Sequence, residues 1–466
     1  MPVETVILGA GIIGVSTAYY LSKHQEPSSI HLVEPSPDLF SSASGYAGGF
    51  LAKDWFAPSV SALGALSFEE HRRLAEEHGG RERWGYSPAT CISYAASADG
   101  RGSQERGDDW YVRCNTSTCY PVHRQTNSRF RLRHGTSRAD AAPASSDSLA
   151  GKTPSWLRRQ QGDHVELISD EDSTAQVDPL LLCEFLLQEC VKSGVQLHHP
   201  ATPVSVGTDD DGKLASIRIV GTSTPAVTRE LPCTRLIITS GAWTGQVFRN
   251  LFPGSELNLP IKSLAGHSLV LKSPRWDAGM AGNGCHAVFT THNEGFCPEM
   301  FSRVSGHIYF AGLNSSSLAL PDAAAGKASP DRESLTQLLV AAREIVGSGE
   351  GADHRGGGVE VVREGLCFRP VTPWGTPIVS RIGDRDLGAG VATRPGGGGG
   401  VFVAAGHGPW GIAMSLGTGK VLAELVQGRE LSADIAGLTF SSSGEEGRGA
   451  GAGGAISGQA EELDAD

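Results

Sequence analysis

Apolar residues along the chain fall into short unbroken runs and longer stretches with helical spacing. Thr5 to Leu8 is an unbroken run that predicts a buried strand. From Gly14 to Ser22 the spacing turns helical, with Val15, Ala18, Tyr19 and Leu21 on one face. Ile30 to Val33 is a second buried run, closed by Glu34-Pro35. Strand, helix and strand in this order predict a β-α-β unit, and so a parallel sheet covered by helices. Ser67 to His78 reads as a polar-faced helix. Asp178-Pro179 opens an amphipathic helix over Leu180 to Ser193, with Leu181, Phe185 and Leu186 inward. Val195 to His198 and Val204 to Val206 read as strands, and Asp209-Asp210-Asp211-Gly212 as a hairpin turn. Leu236 to Thr239 is another buried strand, and residues 259–314 alternate as strands do. Ser334 to Val346 predicts a helix, Val401 to Ala405 a last core strand, and Gly417 to Val426 a last helix.

Two stretches break the pattern. From about 95 to 159 Ser, Arg, Gly and Asp dominate and periodicity vanishes, which predicts an irregular insertion or loop. Residues 441–466 are Gly, Ala, Ser and acid, and read as a disordered tail.

Composition narrows the function classes. With 39% hydrophobic residues among 466, the chain can bury a large core. A net charge of -12 and the lack of a basic run outside the irregular segment argue against a nucleic-acid partner. No stretch approaches the ~20 apolar residues of a membrane helix. The first apolar run leads straight into glycines, so it reads as a strand and not a targeting segment, and the expected location is cytoplasmic. Nine scattered cysteines without zinc-knuckle spacing read as reduced, buried thiols, and no metal site is expected.

Three motifs carry chemistry. Gly9-Ala10-Gly11-Ile12-Ile13-Gly14 follows a strand and opens a helix. Gly9 permits the turn, Gly11 lets a pyrophosphate approach the backbone, and Gly14 lets helix and sheet pack closely. Glu34, at the end of the second strand, can accept hydrogen bonds from ribose hydroxyls. The unit predicts a dinucleotide without deciding between FAD and NAD. Ser41 to Gly49 follows at once, and its small residues Ser42, Ser44, Gly45, Ala47, Gly48 and Gly49 let the chain pass close to a flat ring and its phosphates. An NAD enzyme needs no such stretch here, so it favours FAD; a plain flexible loop is the other reading. The third motif, Gly406-His407-Gly408 through Gly411-Ile412, lies between a buried strand and a helix. Its backbone N–H groups could face a negatively charged flavin edge, and His407 reads as either a structural or a catalytic residue. Val204, Ser240, Gly241 and Trp243 complete the candidate cofactor contacts.

Taken in order, VILGAGIIG, SASGYAGG, VDPLLLCEFLLQE, RLIITSGAWT, LPIKSLAGHSLVL, GLCFRPVTPWGTPIV and VFVAAGHGPWGIAMSLGTGKVLAELV resemble the DAO-type FAD-dependent oxidoreductases, which include D-amino-acid, glycine and sarcosine oxidases. The likeness spans nearly the whole chain outside 95–159 and the tail. It implies a glutathione-reductase-type α/β fold, with a Rossmann-like FAD-binding domain and a second, antiparallel-sheet substrate domain. It gives Arg369, in Gly365-Leu366-Cys367-Phe368-Arg369-Pro370, the role of binding a substrate carboxylate. Cys367 corresponds to the position where sarcosine oxidases attach flavin covalently; an unreacted thiol is the other reading. SGYAGGFLAKDW and CFRPVTPWGTPI are more narrowly similar to a fungal subgroup of oxidoreductases without a settled substrate, linked to late-endosome-to-Golgi traffic. That likeness implies an endosome-associated alternative, a flavoprotein with little turnover serving traffic. The chain departs from the family at Trp374, where Asp is frequent, and at His267, where Gln is. It also departs at Ala413, where sarcosine oxidases hold a lysine associated with oxygen activation.

The resulting expectation is a discontinuous FAD domain from residues 1–90, 165–258 and 365–440, with a strand-rich substrate domain over 259–364. The reaction expected is oxidation of a C–N bond in a small amine or amino acid, with hydride passing to flavin N5.

Overall fold

The computed structural model describes residues 3–95, 152–222, 226–277, 284–291, 296–348 and 358–440. The strands are β1 (Thr5–Leu8), β2 (Ile30–Val33), β3 (Phe50–Ala52), β4 (Ser87–Ala95), β5 (His164–Ser169) and β6 (Thr174–Gln176). Then come β7 (Gln196–His198), β8 (Ala201–Thr208), β9 (Leu214–Gly221), β10 (Thr228–Pro232), β11 (Arg235–Ile238) and β12 (Lys262–Lys272). The last are β13 (Cys285–Thr291), β14 (Glu299–Ser302), β15 (Ile308–Ser315), β16 (Glu360–Val371), β17 (Ile378–Ile382) and β18 (Gly400–Ala405). The longer helices are α1 (Ile12–Leu21), α2 (Pro58–His78), α3 (Pro179–Ser193), α4 (Thr244–Leu251), α5 (Arg332–Val346) and α6 (Ser415–Gln427).

Three sheets result. The first has the order β17-β18-β11-β1-β2-β7 and is parallel except for β17. Its central strands β1 and β11 are wholly buried, which is why they read as unbroken apolar runs. A small antiparallel sheet, β10-β9-β8, stands beside it. The third sheet runs β16-β12-β15-β14-β13-β4-β6-β3, with β5 paired to β4.

These sheets do not divide the chain at the expected boundaries. β3, β4, β5 and β6 fall in segments expected in the FAD domain, yet they complete the large sheet; β4 pairs in parallel with β13. Most of β16 joins that sheet too, along the whole length of β12. Of the expected insertion, residues 96–151 lie outside the described residues. Its end is part of the fold: Trp156 and Leu157 are buried in an apolar cluster with Leu338, Ile345 and Val346 of α5. The expected tail at 441–466 also lies outside the described residues. Among the described residues no helix is long and apolar enough to cross a membrane, and the seven cysteines are free thiols.

Helix α1 is buried at every position, not on one face, because it lies between the first sheet and helices α3 and α6. Glycines permit this. A Cβ at Gly14 would collide with the carbonyl oxygen of Gly9, and one at Gly419 would come within 2.6 Å of Ser16 Cβ. A buried polar cluster then fastens three helices. Tyr20 donates to Glu70 at 2.7 Å, and Arg73 and Lys420 reach the same carboxylate at 2.6 and 2.9 Å. Such a carboxylate is tolerable inside because each oxygen finds a donor. Helix α3 is capped by Asp178, which accepts from Leu180 N–H at 3.1 Å. Leu182, Phe185 and Leu186 face inward on α3, whereas Leu181, expected inward, is 42% exposed because its neighbours Leu182 and Cys183 take the buried stripe.

Gly14→Val would drive a branched side chain into the turn after β1. Overpacking of this kind costs about 1–3 kcal/mol or more. Thermal unfolding should show a lower Tm, together with loss of bound cofactor; an unchanged Tm would contradict the close approach.

Candidate functional site

The carboxyl ends of the parallel strands open into a single long cleft, where ligands of doubly wound sheets bind. Its non-protein space is about 1700 Å³, counting the open mouth. One wall comes from the ends of β1, β2, β11 and β18, and the opposite wall from β14, β15 and β16 of the large sheet.

The first wall gathers most of the sequence-predicted residues. Gly9, Gly11, Ile12 and Ile13 line it after β1, and Glu34 after β2. Ser42, Ser44, Ala47, Gly48 and Gly49 pass along it, and Ser240, Gly241 and Trp243 close it after β11. Ala10, Gly14, Gly45 and Gly406 serve it from behind. Ala10 N–H donates to Glu34 Oε2 at 2.9 Å, and Ser36 N–H to Oε1 at 3.0 Å, so the carboxylate is aimed before any ligand arrives. Burial raises the Glu34 pKa while these two N–H groups lower it. Gly45 packs against the Phe40 carbonyl, and Gly406 makes a turn at φ +85 against Thr372. Val204 is a correction: its side chain is 42% exposed and the neighbouring Pro203 lines the cleft, since adjacent residues of β8 face opposite ways.

The wall has the shape of a cradle for a flat, phosphorylated ligand. A Cβ at Gly48 would press to 2.5 Å on the Phe301 ring. Gly241 and Gly408 have φ of +54 and +56, and a Cβ at either would meet no atom beyond its chain neighbours closer than 4.0 Å. Ser44 Oγ accepts from Ile12 N–H at 2.9 Å, and Ser42 Oγ from Phe368 N–H at 3.3 Å, so the serine stretch ties both walls together.

His407, Gly408, Gly411 and Ile412 line the end of the cleft. The His407 ring is turned to Thr418 Oγ1, 3.1 Å from Nε2, and burial lowers its pKa to about 4. Neutral at physiological pH and paired with Thr418, His407 fits the structural of its two readings, as an anchor of the turn. A second histidine that sequence reasoning missed, His71 of α2, holds the same turn through Ile412 O at 2.9 Å.

The opposite wall bears the polar groups that can meet a substrate. Arg369 on β16 extends over Gly266, where a Cβ would lie 2.8 Å from Nη1, and its Nη1 donates to Asn314 Oδ1. Cys367, two residues earlier, lines the cleft on the same strand face; burial raises its thiol pKa and Arg369 lowers it. Phe50, Phe301, Tyr309 and Trp410 supply apolar surface, with Phe50 stacked on Phe301 at 5.5 Å and Phe301 on Tyr309 at 5.8 Å. Glu299 also lines this wall and is buried; burial raises its pKa to about 7, against a lowering pull from Arg369. Sequence reasoning missed Glu299. The available signal was its period-2 spacing from Phe301, which puts both on one strand face. The segment from Pro321 to Ala328 roofs the cleft, held by Trp243 Nε1 donating to Pro321 O at 2.7 Å. His267, one of the departures noted above, supports that roof by accepting from Asp331 N–H at 3.1 Å.

A parallel nucleotide-binding sheet facing a mostly antiparallel sheet across one cleft defines a two-walled flavoprotein oxidoreductase. The chain belongs to the DAO family of FAD-dependent oxidoreductases, whose sequence model matches residues 4–425. It is 26% identical over 456 residues to "Putative oxidoreductase C1F5.03c" of Schizosaccharomyces pombe, covering 92% of this chain and 96% of that protein. It is 23% identical to "Putative oxidoreductase TDA3" of Saccharomyces cerevisiae, covering 93% of each. Among solved structures, glycine oxidase from Geobacillus kaustophilus has TM-score 0.64 at 19% identity, covering 94% of this chain and 98% of that one. L-Proline dehydrogenase from P. horikoshii has TM-score 0.65 at 13% identity, covering 94% and 96%. At such identities the structures show a shared fold. The cofactor of the family is FAD, and the glycine cradle and preset Glu34 fit it.

Two expectations follow. Burial keeps Cys367 largely as the thiol, whereas the thiolate is the reactive form. The visible spectrum of purified protein should show flavin, and acid precipitation should release the colour to the supernatant; a yellow pellet would reveal a covalent bond. Glu299→Gln should raise stability at alkaline pH. A carboxyl whose native pKa lies above the unfolded value of 4.5 destabilises the native state as pH rises, with the cost absent below 4.5 and complete above about 7. The variant should therefore gain up to ~3 kcal/mol near pH 8 and little near pH 4, read from denaturant midpoints of the holoprotein.

Proposed function

We propose that this oxidoreductase oxidises the C–N bond of a small amine or amino acid whose carboxylate is held by Arg369. The observation that carries the reading is the placement of Arg369. It is a cation that lines the same cleft as Phe50, Phe301, Tyr309 and Trp410 and as the glycine cradle. Gly9, Gly11, Glu34, Ser44 and Ser240 would hold FAD, which when bound supplies the hydride acceptor. A guanidinium can take a carboxylate through two charge-assisted hydrogen bonds, and Asn314 fixes its orientation. Phe50, Phe301, Tyr309 and Trp410 exclude water around the α-carbon and restrict its approach, so orientation does much of the work. A substrate amine in its neutral form gives up the α-hydrogen with its electron pair and becomes an imine, which water hydrolyses. Glycine, iminodiacetate and L-proline, which appear in the names of structural neighbours, each carry a carboxylate beside a C–N bond, and this supports the reading.

The test is turnover of glycine, iminodiacetate, L-proline and the common amino acids, followed with both oxygen and an artificial dye as acceptor. Arg369→Met should lower kcat/KM about 100-fold or more while the flavin spectrum is kept. Full retention of FAD with no turnover of any carboxylate-bearing amine would sink the proposal. A flavoprotein that binds without turnover would then be the reading left standing.

A further inference from the structure

Arg369 is not the only charge on the substrate wall. Glu299 begins β14, faces the same side of the sheet as Phe301, and lies in register with Ala311 of β15. Ala311 on β15 is small, and Phe289, the partner of Glu299 on β13, is apolar. Its carboxyl makes no hydrogen bond or ion pair among the described residues. The titratable groups that sense it are Arg369 and Cys367 from β16 and Tyr309 from β15. A carboxyl kept inside an apolar wall without a partner is costly to the fold. The wall thus presents a guanidinium and a carboxyl near enough that the charge of Arg369 lowers the Glu299 pKa. An α-amino acid has the complementary pair, a carboxylate and an ammonium joined through one carbon.

Building on the C–N oxidation reading, we infer that Glu299 receives the substrate's ammonium and takes a proton from it, so that Arg369 and Glu299 together select zwitterionic α-amino acids. In the step, an N–H bond of the ammonium breaks and an O–H bond forms on the Glu299 carboxylate. The electron pair stays on nitrogen, giving the neutral amine that hydride loss requires. A base titrating near neutrality suits that transfer, because it can both accept the proton and return it to solvent. The neutral form of Glu299 keeps a carbonyl acceptor but no charge to set against an ammonium, so recognition weakens as the carboxyl protonates.

Two non-reacting probes separate the roles. 2-Aminoisobutyrate has no α-hydrogen, and pivalate is the same molecule with methyl in place of the ammonium. Their binding to the FAD-loaded protein is read from perturbation of the flavin absorbance. The wild type should bind 2-aminoisobutyrate more tightly than pivalate. That preference should fall as pH is lowered through the range where Glu299 protonates, although the probe's amine stays charged throughout. Glu299→Gln should weaken 2-aminoisobutyrate about 10-fold or more and leave pivalate within about twofold. It should also abolish the pH dependence of the preference. Glu299→Asp, which keeps a carboxyl, should retain part of the affinity and the pH dependence. Arg369→Met should weaken both probes. Equal losses for both probes in Glu299→Gln, or none for 2-aminoisobutyrate, would overturn the role of Glu299 and leave the Arg369 reading intact. Failure of Arg369→Met to alter either probe, or failure of the wild type to bind either, would overturn the functional reading itself.

Discussion

The structure depends on the absence of a side chain at Gly14. With only hydrogen there, α1 can lie directly on the turn after β1, and the turn can then present Gly9 and Gly11 to the cleft. The requirement propagates outward. Gly419 lets α6 press on Ser16 of α1, and Gly417 lets it press on Ser67 of α2. The three helices come close enough for one carboxylate, Glu70, to be shared by Tyr20, Arg73 and Lys420. Close packing secures the geometry and the polar cluster fixes its register. A methyl group at any of these glycines would be felt along the whole stack.

The two walls of the cleft differ in the physics that builds them. The nucleotide wall is made from backbone, glycines and hydroxyls, with the Glu34 carboxylate aimed by two backbone N–H groups. The substrate wall is made from side chains on a twisted antiparallel surface, where neighbours in space come from β14, β15 and β16. Under the reading proposed above, a ligand lacking its carboxylate or its ammonium forgoes one of two contacts, and that difference makes the wall selective.

The parallel sheet was legible in the sequence because its signals are local: an apolar run, a glycine turn, a helix and an acid within about three dozen residues. Glu34 and the Ser42 to Gly49 stretch could be placed on that basis. The large sheet was not legible in the same way. β4 pairs with β13 from nearly two hundred residues downstream, so nothing local announces that residues 87–95 belong to it. Leu181 and Val204 were misjudged because periodicity names a face without saying which face the neighbours cover. Trp156 and Leu157 were lost in a polar neighbourhood although α5 buries them. Glu299 stayed hidden because one acid in a strand looks like a solvent-facing position until the opposing strands are known.

The pairing of β1 bears on biosynthesis. Its neighbours are β2, completed within the first three dozen residues, and β11, whose Arg235 meets Thr5. β18, which contributes the last end of the cleft, comes much later at Gly400–Ala405. A nascent chain leaving the ribosome therefore holds its glycine turn through the synthesis of roughly several hundred further residues before all the strands that make it a pocket are present. Long-range pairing of this kind is slow and exposes unpaired edges in the meantime. The cofactor meets its complete pocket only once β18 has emerged, so flavin supply would act on maturation after that strand is made and not when the glycine turn forms.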